Sequence, residues 1–216
     1  MVRITVLGDQ NRVQLVMQDI LLKWGGIFVG HRFNPEKAGK LLDPKRREII
    51  SPNTVIKLLD IQSTDTIADL GAGNGYFTVP MAHTTEKEVF AVDIEPKMLA
   101  LLKEHAANEH ASNIVYLEGN LEEIPLENQS ADKALIAFVT HEVPNVVKMI
   151  GELKRVMKPS GKILILEWDV VNSESGPPIH ERIPSEQLKK EFEENGLHGE
   201  VHQMNEQVYA LLLSLG

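Results

Sequence analysis

From about residue 66 onward the chain alternates between short apolar runs and amphipathic stretches. Five runs are strand-sized: Thr66–Leu70, Glu88–Val92, Asn113–Leu117, Lys133–Val139 and Lys162–Leu166. Helix-period segments fall between several of them. Phe77 to Ala82 can continue as a helix, and Pro96 suits the first turn of another reaching about His110, with Met98, Leu99, Leu102 and Ala106 on one face. Asn145 to Met157 carries Val146, Ile150, Leu153 and Met157 at three- and four-residue spacing. Strand and helix alternating over residues 66–166 predict a parallel sheet covered on both faces. Upstream, Ser51 and Pro52 form a helix start, followed by Val55, Ile56 and Leu59 and an end near Asp60. Downstream, Asn172 to Pro178 is a loop, and Ser185 is expected to cap a helix that buries Leu188 and Phe192 and stops at Gly196. Glu200–Met204 and Gln207–Leu213 complete the pattern as a strand pair around Asn205 and Glu206.

Composition narrows the class. With 216 residues, 43% hydrophobic and 25% charged, the chain is a globular protein able to bury a core without covalent staples. The absence of cysteine excludes a disulfide scaffold, a thiolate metal site and a cysteine nucleophile, and it fits a cytoplasmic location. Lys+Arg 22 against Asp+Glu 31, a net charge of −9, argues against nucleic acid as a partner. No run approaches the ~20 apolar residues of a membrane span. The N-terminus lacks the apolar stretch and cleavage site of a signal peptide. His105, His110, His180, His198 and His202 have no metal-ligand spacing, so no metal is expected.

The most informative stretch runs from Thr66 to Phe77, where a strand ends in Asp69 and a glycine turn opens onto a helix. Open α/β sheets bind nucleotides at such a place. Gly71, Gly73 and Gly75 give G-x-G-x-G, whereas the dinucleotide fingerprint would need glycine at Tyr76. An acid two residues before the first glycine would repel a pyrophosphate and welcome a cation. An adenosine ligand with no phosphate and with sulfonium and ammonium groups suits this turn, which is a description of S-adenosylmethionine. Asp93 closes the next strand, 22 residues after Gly71, where a carboxylate can accept both hydroxyls of an unphosphorylated ribose.

These residues resemble the class I S-adenosylmethionine-dependent methyltransferases, over roughly residues 30–213 and most strongly over 66–168. The implied fold is a Rossmann-like doubly wound α/β domain, a mostly parallel seven-stranded sheet with an antiparallel C-terminal strand pair. Asp69-Leu-Gly-Ala-Gly-Asn-Gly75 is similar to the family's first motif, so the resemblance assigns Asp69, Gly71, Ala72, Gly73 and Gly75 to the methionyl part of the cofactor. It places Asp93 on the ribose, with Ile94 beside the adenine. Glu118 to Glu122 stands where the family usually has Gly-Asp-Ala. Here Asn120 and Leu121 depart from that pattern, and Asn120 can accept the adenine amino hydrogen bond only through an uncharged carbonyl. Val156 to Lys162 resembles the turn before the fifth strand. Within the family the chain is similar to the type 11, small-molecule branch that includes quinone-biosynthesis enzymes. Phe33–Lys37 and Leu42–Arg46 resemble the N-terminal segment of small bacterial and archaeal members. The lack of cysteine removes arsenic as an acceptor.

The implied activity is methyl transfer to a small-molecule acceptor by in-line displacement, with positioning supplying much of the acceleration. Phe138 to Glu142 ends the fourth strand beside the cofactor. His141 is the first candidate base and Glu142 a group that could orient it, while Glu167 and Asp169 stand second. Phe138 is expected against the cofactor, Trp168 as an aromatic wall and Arg46 on a lid segment. A non-catalytic S-adenosylmethionine-binding module and another alkyl transferase on the same fold remain rival readings. So do monomer and homodimer. Residues 1–28 fall outside the resemblance and are expected to be an upstream extension, with Val29 a candidate natural start; the alternative is an appendage that dimerises or lids the site. Residues 29–60 are then expected to form a helical cap and residues 61–216 the cofactor-binding domain.

Overall fold

The computed structural model describes residues 49–215. The expectations for residues 1–28, for the lid as far as residue 48 and for Arg46 lie outside the described residues. Seven strands form one sheet in the order β3-β2-β1-β4-β5-β7-β6. They are β1 (Ile67–Leu70), β2 (Val89–Asp93), β3 (Ile114–Glu118), β4 (Ala131–Ala137), β5 (Met157–Trp168), β6 (Leu197–Gln203) and β7 (Val208–Leu215). The first five pair in parallel, and β7 runs antiparallel to both β5 and β6. This is the expected mostly parallel sheet with an antiparallel C-terminal pair. Among the described residues five α-helices accompany it: α1 (Pro52–Leu59), α2 (Thr78–Ala82), α3 (Pro96–Asn108), α4 (Val146–Val156) and α5 (Ser185–Glu194).

Alternation along the strands separates two cores. Ala68, Leu70, Ala134, Ile136, Ile163 and Ile165 pack with Met149, Ile150 and Leu153 of α4 and Leu188 and Phe192 of α5. Ile67, Leu135, Ala137, Leu164 and Leu166 face the other way, onto Val55 and Leu59 of α1, Val79 and Met81 of α2 and Leu102 of α3. Strands buried on both faces need apolar residues at every position, which is why they read as continuous runs in the sequence.

Four local features differ from expectation. No helix joins β3 to β4. Instead, the loop is held by α4, where Arg155 Nη1 donates to Leu126 O (2.6 Å), Arg155 Nη2 donates to Ile124 O (2.7 Å), and Glu152 accepts from Ile124 N (2.8 Å). Ser185 is the first residue of α5 rather than its cap, and Pro184 precedes it without a side-chain capping bond. β4 stops at Ala137 because Phe138 turns to φ +63, a left-handed conformation no ladder continues. The turn expected before β5 is absorbed into that strand as an irregularity: Ala131 pairs with Met157 but Lys133 with Lys162. At the C-terminal hairpin, Asn205 Oδ1 accepts from Gln207 N (2.8 Å) and Val208 N (3.0 Å), closing the turn where it was expected.

Candidate active site

The carboxyl ends of β1 to β5 share one edge of the sheet, and the strand order reverses between β1 and β4. A crevice opens at such a reversal. The glycine turn after β1 lies there. Gly71, Gly73 and Gly75 all have positive φ, at +83, +55 and +89. At Gly71 a side chain is excluded twice over. Besides the φ, a Cβ would stand 2.8 Å from Val139 Cγ2 and 2.9 Å from Cγ1. The backbone of Gly71 and Ala72 is anchored by donation to Val92 O, at 2.8 and 3.0 Å. The turn after β1 is thereby packed directly against the turn after β4.

Two acids flank this turn and are held differently. Asp93 Oδ2 accepts from Gly73 N at 2.7 Å and its Oδ1 from Glu95 N at 2.9 Å, so the carboxylate links the end of β2 to the glycine turn. Burial raises the Asp93 pKa, backbone donors at Glu95 and Gly73 oppose that shift, and the charge of Glu95 adds to it. Asp69 is only 2% exposed and accepts from Thr78 Oγ1 at 2.5 Å. Burial pushes its carboxyl up to about 7, the Thr78 hydroxyl opposes that, and Asp93 contributes repulsion. Asp69 is therefore more enclosed than a residue simply facing a ligand. A cation nearby would favour its ionised form.

The donor set fits a cationic, phosphate-free nucleoside: two carboxylates and no basic side chain in the turn from Asp69 to Gly75. Ile94, 42% exposed just beyond Asp93, presents an apolar surface on which an adenine can pack. Asn120 Oδ1 accepts from Glu122 N at 2.8 Å, which fixes the loop after β3. Leu121 is buried in the core, so only its backbone can serve a ligand.

At the ends of β4 and β5 the sequence candidates form a tighter cluster than their spacing suggests. His141 lies in a short 3-10 turn, Thr140–Glu142, and is 7% exposed. Its Nδ1 is 3.0 Å from Glu167 Oε2 and 3.1 Å from Oε1. Glu167 is fully buried, so it, rather than Glu142, orients the imidazole. Glu142 Oε1 lies 3.8 Å from His141 Nε2, beyond hydrogen-bond distance. The Phe138 ring, redirected by the positive φ, lies 5.1 Å from the Trp168 ring. Asp169 accepts from Val170 N and Gln203 Nε2 and serves the loop.

Sequence reasoning missed two supporting residues. Thr78 was legible only as the first residue of a helix nine positions after Asp69. Arg182 is 3% exposed and donates to the carbonyls of Asp169, Val171, Ser175 and Pro177 and to Ser173 Oγ. It also lies 5.6 Å from the centre of the Trp168 ring, so it holds the loop after β5 against that tryptophan. Burial lowers its pKa, against the opposing charge of Asp169. Among the described residues no cluster of acids and histidines could hold a metal ion, and no helix is long and apolar enough to cross a membrane.

A methyltransferase-domain family model matches residues 68–165. A ubiquinone/menaquinone biosynthesis C-methyltransferase of Methylobacterium nodulans is 35% identical over 102 residues, 47% of this chain and 40% of that protein. A demethylmenaquinone methyltransferase of Shouchella clausii is 30% identical over 114 residues, 52% of this chain and 48% of that protein. The chain thus spans less than half the length of these curated relatives. A solved S-adenosylmethionine-dependent methyltransferase of Aquifex aeolicus superposes with a TM-score of 0.80 at 27% identity, covering 84% of this chain and 98% of that one. A protein of Pyrococcus horikoshii shares the fold at 18% identity, with a TM-score of 0.69 over 86% of this chain and all of its own. Sheet order, matched domain and relatives agree: residues 68–165 carry a methyltransferase domain, and the chain is similar in sequence and fold to the class I S-adenosylmethionine-dependent methyltransferases, whose cofactor is S-adenosylmethionine.

Proposed function

We propose that this protein transfers the methyl group of S-adenosylmethionine to a small-molecule acceptor of the quinone-biosynthesis type. The observation that carries the proposal is the Asp93 carboxylate, clamped by Gly73 and Glu95 amides at the strand-order reversal. A carboxylate set there accepts hydrogen bonds from two adjacent ribose hydroxyls. When bound, the cofactor supplies a methyl group on a positively charged sulfur that is a good leaving group. The protein's part is to position and desolvate. The Asp69–Gly75 turn receives the methionyl end, Ile94 and the loop at Asn120 and Leu121 receive the adenine, and Phe138 borders the cofactor. Trp168 and Phe138 provide an aromatic wall on the acceptor side. The match to enzymes named for quinone biosynthesis supports a flat, apolar acceptor, and the aromatic pair is compatible with one.

The test is formation of S-adenosylhomocysteine by the full chain with S-adenosylmethionine and reduced quinones as acceptors. The expected result is acceptor-dependent product. Tight cofactor binding with no turnover across reduced quinones of several ring sizes would favour a non-catalytic binding module instead.

A further inference from the structure

We infer that Glu167 is a positioning residue for methyl transfer, holding His141 as a base at Nε2 toward the hydroxyl of a reduced-quinone acceptor. This rests on the methyl-transfer reading and the reduced-quinone acceptor proposed above.

The starting point is the setting of Glu167. It ends the run of buried apolar residues in β5, where the packing pattern would accept a hydrophobe, yet it is 0% exposed and polar. Its Oε1 accepts from the His141 backbone N at 3.2 Å and its Oε2 from Trp168 N at 3.2 Å, so two amides fix the plane of the carboxylate. Both oxygens then meet His141 Nδ1, at 3.1 and 3.0 Å. Two carboxylate oxygens at these distances act as acceptors, which sets the proton of a neutral imidazole on Nδ1 and the lone pair on Nε2, where Glu142 Oε1 stands farther off at 3.8 Å. Replacing such a buried polar pair by apolar side chains of similar volume is often neutral or stabilising, so packing alone gives little reason for it.

Position links the pair to the transfer step. Val139, two residues before His141, fills the space that a Cβ at Gly71 of the glycine turn would need. Phe138 and Trp168, whose rings lie 5.1 Å apart, flank the pair in sequence, one three residues before His141 and the other next to Glu167. A base beside an aromatic wall suits a planar ring bearing a hydroxyl. A tertiary amine or a thioether has a lone pair ready and no proton to surrender, so it has no use for Nε2.

The step balances as follows. The acceptor hydroxyl gives its proton to His141 Nε2, and the imidazolium so formed keeps its Nδ1 proton on Glu167. The electron pair released forms the new bond to the methyl carbon, at the oxygen or at a ring carbon conjugated with it. The carbon–sulfur bond breaks with its electrons going to sulfur, and neutral S-adenosylhomocysteine leaves. After methylation at oxygen, Nε2 releases its proton to water; after methylation at a ring carbon, that carbon sheds its proton to water and the oxygen takes back the proton on Nε2, so one proton leaves in either case.

The experiment uses the full chain. Cofactor binding is measured first by calorimetry with S-adenosylhomocysteine; no binding would fail the methyl-transfer reading itself, separately from this inference. In protein that binds, nitrogen-15 imidazole shifts report the His141 tautomer. The expected state has the proton on Nδ1, and a proton on Nε2 overturns the inference without any variant. Turnover is then compared for 1,4-naphthohydroquinone and N,N-dimethylaniline, both flat rings, of which only the first has an ionisable proton. Product from the hydroquinone alone is expected; equal or faster consumption of the dimethylaniline, or product from neither, overturns the acceptor class. Glu167→Gln, nearly isosteric, should lower kcat on the hydroquinone roughly 10- to 100-fold while the KM for S-adenosylmethionine stays within about twofold. An unchanged kcat, or a fall in kcat matched by weaker S-adenosylhomocysteine binding, would make Glu167 a structural residue only.

Discussion

Gly71→Ala tests the joint between the cofactor turn and the β4 turn. The added Cβ meets two independent obstacles. The φ of +83 is a left-handed conformation, which costs a non-glycine residue roughly 1–2 kcal/mol. The methyl would also lie 2.8–2.9 Å from both γ-carbons of Val139, and overpacking of that kind costs about 1–3 kcal/mol. The substitution should therefore destabilise the fold by roughly 2–4 kcal/mol, some relaxation being available. Urea unfolding followed by far-UV circular dichroism measures the loss. A double-mutant cycle divides it: Val139→Ala removes the steric part and leaves the dihedral part. The double variant should be more stable than the sum of the single effects by about 1–2 kcal/mol. A cost below about 0.5 kcal/mol for Gly71→Ala, or strict additivity with Val139→Ala, would refute the described contact between the two turns.

Asp69 gives a pH signature. Its folded pKa, raised to about 7 from 3.8, means the ligand-free fold holds this proton more tightly than the unfolded chain does. Its contribution to stability is therefore present below 3.8 and is lost as pH rises toward and through about 7. Asp69→Asn should flatten that slope in thermal unfolding scans. A cationic ligand lowers the same pKa, so S-adenosylmethionine affinity should rise between about pH 6 and 8 in the parent protein and much less in the variant; equal slopes would contradict the assignment. Arg155→Met should cost about 1–2 kcal/mol and expose the Ile124 and Leu126 amides to faster hydrogen exchange; unchanged exchange there would show that the loop does not depend on α4. Arg182→Gln should lower the melting temperature and raise mobility in residues 169–177, visible as lost amide protection, because one guanidinium serves four carbonyls of that loop.

The parts of this fold that rest on repeated local signals were legible in the sequence. β-branched runs separated by helix-period segments mark all five parallel strands, and Asn205 marks the final hairpin. What was not legible depends on contacts between distant residues. The strand–helix alternation read over residues 66–166 lapses between β3 and β4, where a loop stands whose backbone groups are satisfied by Arg155 and Glu152, about 30 residues away. β4 ends at Ala137, two residues early, before Phe138, whose positive φ no propensity foretells. In the site, a motif with fixed spacing places Asp69, the glycines and Asp93 together, because one turn and one neighbouring strand bring them close. The partner of His141 did not follow from its neighbour in sequence. Glu142 is adjacent in the chain, but the parallel register that sets Ala137 beside Leu166 brings Glu167 to the ring instead.

Calorimetric titration of the full chain with S-adenosylmethionine, beside its Asp93→Ala variant and a parallel titration with NAD, tests the central claim most directly. The parent protein should bind one S-adenosylmethionine and one S-adenosylhomocysteine per chain and no NAD. Loss of the carboxylate proposed to accept hydrogen bonds from the ribose should weaken the first two by about tenfold or more. Binding of NAD without either sulfur nucleoside, or an Asp93→Ala variant that binds as tightly as the parent, would contradict it.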